Sequence, residues 1–175
     1  MANNNSTTIA NREATPPEVA NADTLYGKKR VLVETIEIDA ADNDGDTYAM
    51  LPVMLDYRID DIKVLNDAIT GGTDLDIGLY AVKDGTLGAV VDADIYADGI
   101  SVATARNVAT SVLGSGAGSR DKANSKNRVW ADAGYADVSA GRDATENNEL
   151  YLVVTANTVG TASGTLVVQV EVTVE

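Results

Sequence analysis

The chain has no cysteine and no histidine among its 175 residues. Without cysteine there is no disulfide framework and no thiol chemistry, and the redox compartment cannot be read. Without histidine the commonest general base and the commonest transition-metal ligand are both missing. Phenylalanine is also absent and there is a single tryptophan, so a hydrophobic core has to be built from Val, Ile, Leu and Ala. No run of about 18 apolar residues occurs, which excludes a transmembrane helix. The opening MANNNSTTIAN has neither the basic nor the apolar region of a signal peptide. Positive charge is scarce as well. Thirteen Lys and Arg stand against 27 Asp and Glu, a net charge of −14. That balance repels phosphate backbones and anionic lipid surfaces, so neither nucleic acid nor membrane is an expected partner.

What remains is 45% hydrophobic, ordinary for a folded domain, and rich in Val and Thr, which favour strands. The stretch Arg58 to Val82 is the best signalled. Ile62 and Val64 face one way, and Ile59 is out of phase with them, which predicts a bulge at Asp60 or Asp61. After Thr70-Gly71-Gly72-Thr73, where glycine supplies positive φ cheaply, Leu75, Ile77, Leu79 and Ala81 alternate with Asp74, Asp76, Gly78 and Tyr80. We read these halves as a hairpin. Glu149 to Ala156 and Thr165 to Glu175 read as a second, terminal hairpin. In its last strand Leu166, Val168, Val170, Val172 and Val174 share one face.

Strands are also expected over Val31–Ile38 and Thr47–Leu55, the latter with Ala49, Leu51 and Val53 on one face. Pro52 lacks a backbone donor, so this strand should lie at an edge or bend. Asp84-Gly85 and Leu87-Gly88 mark a turn. Ser101 to Leu113 is the one stretch read as a longer helix, and a short helix fits RVWADAGY around Trp130. About seven antiparallel strands with one wet face each predict an all-β sandwich, specifically a jelly roll, with a long insertion or crossover between Val91 and Asn148. Residues 28–175 would form this domain. Residues 1–27, rich in Asn, Thr, Ala and Pro, would be either a plain tail or an extended arm anchored on a neighbour through Ile9, Val19 and Leu25.

Sites for chemistry are few. DAADNDGD, Asp39 to Asp46, looks calcium-like, but counting from Asp42 puts Gly45 at position 4 where an EF-hand needs glycine at position 6. A plain turn fits better. Asp92, Asp94 and Asp98 read as surface acids rather than a metal site or a glycosidase pair. The run Gly114 to Ser119 lacks the GK[ST] ending of a phosphate loop. Lys28-Lys29-Arg30, the densest basic cluster, is either a solvated strand end or a contact for an acidic neighbour. Trp130 is a packing anchor or, with Tyr96 and Tyr135, an aromatic platform. No cofactor and no enzymatic activity are expected.

The succession VETIEIDAADNDGDTYAMLPV, RIDDIKVLNDAITGGTDLDIGLY, VVDADIYADG and ELYLVVTANTVGTASGTLVVQVEV resembles small virion structural proteins of tailed double-stranded DNA bacteriophages, in particular head-decoration, or cement, proteins. The similarity spans residues 31 to 175 and consists of strand and turn patterns. It implies a jelly-roll-like protein on the capsid exterior that binds the major capsid protein, acts as a symmetric homo-oligomer (dimer or trimer) and is cytoplasmic in the host before assembly. Ile9, Val19, Leu25, Lys28, Lys29, Arg30 and Trp130 are the candidate partner contacts. A carbohydrate- or receptor-binding module of a phage tail or baseplate is the alternative.

Overall fold

The computed structural model describes residues 28–116 and 124–174. The arm assigned to residues 1–27, with Ile9, Val19 and Leu25, lies outside them.

Asp84 and Gly85 sit at φ 52° and 72°. Positive φ at both central residues is the two-residue turn whose twist suits a tight hairpin. It joins β4 (Asp74–Lys83) to β5 (Thr86–Ile100), with Lys83 paired to Thr86. Around this hairpin the other strands nest outwards. β3 (Tyr57–Asn66) pairs with β6 (Arg106–Ser111), β2 (Asp46–Met54) with β7 (Glu149–Thr158), and β1 (Lys28–Ile38) with β8 (Gly164–Val174), all antiparallel. This long ribbon is folded over so that β8 also pairs with β3 and β7 with β4. The result is two four-stranded sheets, β1-β8-β3-β6 and β2-β7-β4-β5. That order is a jelly roll, as the sequence predicts, with eight strands among the described residues rather than about seven.

The core lies between the sheets and is aliphatic. β8 contributes Leu166, Val168, Val170 and Val172, β3 contributes Ile59, Ile62 and Val64, and the facing sheet contributes Leu75, Ile77, Leu79, Leu150 and Leu152. The expected bulge is present, since the β3–β8 register shifts between Ile59 and Asp61. It is what turns both Ile59 and Ile62 inward. β2 is an edge strand, as Pro52 required.

Several expectations need correction. Arg58–Val82 is not a hairpin, because β3 and β4 lie in different sheets and residues 67–73 cross between them. The terminal pair β7 and β8 is likewise split between sheets. Alternation reveals that one face is buried but not which strand is the neighbour. In β2 the buried residues are Tyr48, Met50 and Val53, while Ala49 is exposed, because the register shifts between Ala49 and Leu51. The predicted helix at 101–113 is instead β6. It is a short edge strand open to solvent on both faces, so its sequence has no alternation to read. The insertion is confined to 112–148, between β6 and β7, and carries two short helices, α1 (Val129–Asp132) and α2 (Val138–Ala144).

β4 is buried on both faces for a further reason. Ile77 pairs with Ala97 and Leu79 with Asp92, so four β5 residues, Ala93 to Tyr96, stand opposite Gly78 alone. A Cβ on Gly78 would lie 2.1 Å from the Asp92 carbonyl oxygen. Only glycine fits under that crossing. Gly78→Ala should therefore lower the unfolding free energy by about 2 kcal/mol or more, measured by chemical denaturation.

Candidate functional site

Lys28, Lys29 and Arg30 open β1 and are exposed. Lys29 reaches across β8 on the outer face of the sheet, 3.3 Å from Asp60. Asp60 is the residue that the β3 bulge displaces, and it also accepts from the Thr173 hydroxyl at 2.6 Å and from Arg58 Nε at 3.0 Å. Partial burial alone would raise its carboxyl pKa. The hydrogen bonds from Thr173, Arg58 and Lys29 outweigh burial and hold it below the usual carboxylate value. Beside it, Lys63 bridges Glu171 and Asp61, and Ser111 donates to Asp61. Lys63 is held above its ordinary pKa, chiefly by Glu171. The outer face of this sheet is thus a ladder of short polar pairs across β1, β8, β3 and β6.

Trp130 sits on α1. Its backbone N–H donates to the Leu55 carbonyl at 3.1 Å, and Tyr135 N–H returns to the Trp130 carbonyl at 3.0 Å. A Cβ built on Gly141 of α2 would touch Leu55, Tyr135 and Trp130 at 3.0 to 3.5 Å, so these side chains are packed together. Trp130 is therefore an anchor fixing the insertion to one end of the sandwich. Its indole Nε1 is buried with no hydrogen-bond partner among the described residues. Tyr96 is 0% exposed and donates to Asp132 at 3.1 Å. The alternative reading, an aromatic platform of Tyr96, Trp130 and Tyr135, is not formed, since Tyr96 is buried.

The acids regroup. Asp94 N–H donates to Asp92 Oδ1, and a carboxyl hydrogen bond with Asp92 raises the Asp94 pKa. Asp98 leaves that pair and joins Asp74 and Asp76, with carboxylate oxygens of all three within 4.8 Å of one another. These are the described carboxylates close enough to share a cation. Asp76 already accepts from Gly99 N–H at 3.0 Å and from Asn157 Nδ2. Burial, and then the charges of Asp74 and Asp98, push its pKa up; the bonds from Gly99 and Asn157 offset part of that. Sequence spacing could not have found this trio. Counting straight from Lys83 opposite Thr86 would place Ala93 opposite Asp76, and only the successive register shifts of β5 against β4 bring Asp98 there.

The turn at 39–46 is held by its own backbone donors together with Tyr48 and Val159. Asp42 Oδ2 accepts from Asp39 N–H and Tyr48 O–H, Asp46 Oδ2 from Asn43 N–H, and Asp44 Oδ1 from Val159 N–H. The segment is a turn, as the sequence indicates, with its carboxylates accepting from nearby donors. Burial, then the hydrogen bond to Asp42, raises the Tyr48 phenol pKa.

No family model and no curated protein matches the chain. Among solved structures, the cyanophage Pam1 capsid asymmetric unit is similar at a TM-score of 0.49 and 12% identity, over 85% of this chain and 86% of that one. A likeness at this level carries no argument about function.

Two measurements test the electrostatics. The depressed Asp60 pKa adds stability above the unfolded carboxylate pKa and loses it as pH falls through the folded value. Asp60→Asn should be destabilised by roughly 1–2 kcal/mol at pH 7, with the gap to wild type closing below about pH 4. The raised Asp76 pKa acts in the opposite sense, removing stability as pH rises from the unfolded to the folded value. Asp74→Asn takes away one repelling charge and should stabilise the protein by about 0.5 kcal/mol at pH 7, and by less at pH 4, in denaturant titrations.

Proposed function

We propose that the chain is a structural protein of a tailed-phage virion that decorates the outer surface of the capsid shell and cements it. One observation carries this reading. The family resemblance over residues 31–175 implies a jelly roll, and the strand order 1-8-3-6 with 2-7-4-5 is that of a jelly roll. Fold alone does not assign function, so the resemblance is the other half of the argument. In this reading the partners are the major capsid protein and further copies of the chain, and no catalysis is involved. A staple of this kind works through extended complementary contact repeated by symmetry, not through a reactive group. Residues 1–27 serve as the arm that clasps the shell or a neighbouring copy.

The test is binding to expanded heads that lack the protein, read by sedimentation and counting of bound copies. Saturation at a symmetric number of copies, with greater resistance of the heads to heat, is expected. Deleting residues 1–27 should abolish attachment while far-ultraviolet circular dichroism stays unchanged. Absence of binding by the full chain would overturn the reading and favour the tail or baseplate module, with a glycan array as its own check.

A further inference from the structure

A sandwich of two open sheets has four edge strands, here β1, β6, β2 and β5. Each edge leaves backbone N–H and C=O groups unpaired, a template for another chain, and natural proteins blunt such edges with prolines, bulges and shortness. Three of these edges are blunted. β2 carries Pro52 and a bulge at Met50. β5 changes register against β4 at four places. β6 is six residues long with a shifted register.

β1 has no proline and no bulge and is not short; its charged side chains, another common edge guard, are of both signs and sorted along the strand. It runs for 11 residues, contains no proline and matches β8 residue for residue without a shift. Among the described residues it pairs with no strand other than β8. Its outer face presents Val31 and Val33 at 56% and 53% exposure. Its charges are sorted, with Lys28, Lys29 and Arg30 at the start and Glu34 and Glu37 towards the end.

We propose that β1 is a homotypic interface: two copies pair their β1 strands antiparallel about a two-fold axis at Leu32, joining two four-stranded sheets into one of eight. The sorted charges select the direction. Parallel pairing would set Lys and Arg beside Lys and Arg, and Glu beside Glu. Antiparallel pairing centred on Leu32 sets Arg30 opposite Glu34 of the second copy, Val31 opposite Val33, and Leu32 opposite itself, and such cross-strand pairs are favourable. Moving the axis to Val33 would place Leu32 opposite Glu34 instead. The contact is isologous, so it closes at two copies. The blunted β6 at the far side of the sheet stops further growth. The inference selects the dimer over the trimer, and it stands independently of the capsid reading.

Sedimentation velocity on the full chain tests it, together with hydrogen exchange of the β1 amides. A dimer is expected, with the amides of residues 28–36 protected on both edges of the strand. Val31→Lys with Val33→Lys, both at exposed positions, should give a folded monomer in which alternate β1 amides exchange fast. Arg30→Glu or Glu34→Arg alone should weaken the dimer about tenfold or more, and the double reversal should restore it. A monomer at every concentration overturns the proposal, including one whose β1 edge is protected by another part of the chain. So does an oligomer insensitive to the two lysines, or a double reversal that fails to rescue.

Discussion

Everything in this fold is counted outwards from the turn at Asp84 and Gly85. Because both residues hold positive φ, β4 and β5 reverse within two residues, and among the described strands this is the single place where consecutive strands stay in one sheet. Each remaining connection crosses from one sheet to the other. The nesting of β3 with β6, β2 with β7 and β1 with β8 then follows, as does the position of every side chain that faces the core. A register fixed at one turn leaves no freedom for extra residues except as bulges. Four β5 residues, three of them surplus, accordingly stand over Gly78, and the surplus at Asp60 is put to use as a charged centre on the outer surface.

That centre and the trio of Asp74, Asp76 and Asp98 show how the same side chain is pulled in opposite directions. Asp60 is surrounded by donors and stays ionised more readily than usual. Asp76 is more deeply placed, has like charges for company, and gives up its charge more readily. On acidification the first loses stabilisation while the second loses repulsion. The two effects oppose one another, so each offsets part of the other.

Much of the architecture is legible in the residues because period-two alternation is a direct record of burial. The Leu166 to Val172 row of β8, the phase break at Asp60 and the edge position enforced by Pro52 all survive in the folded protein. Partner choice was not legible. Gly71-Gly72 reverses the chain whether the strands on either side pair within a sheet or stack across the core, and the same holds for the turn between β7 and β8; both connections are crossovers. β6 is not legible as a strand because a strand wet on both faces carries no periodic signal. The acid trio was hidden for a different reason. It depends on how many residues β5 stores in its register shifts against β4, and no local pattern records that number.

Lys28 and Val174 are direct partners in the β1–β8 ladder. The chain therefore enters and leaves the described domain at adjacent points on one end of the sandwich. Mechanically this makes the domain a bead on a single tether. A pull applied through both points would load the outermost ladder like a zipper, one pair at a time, instead of shearing all of its pairs together. Geometrically it means that anything fused before Lys28 or after Val174 would emerge from the same spot. A short bridge between them could close the ribbon into a ring and leave the core undisturbed.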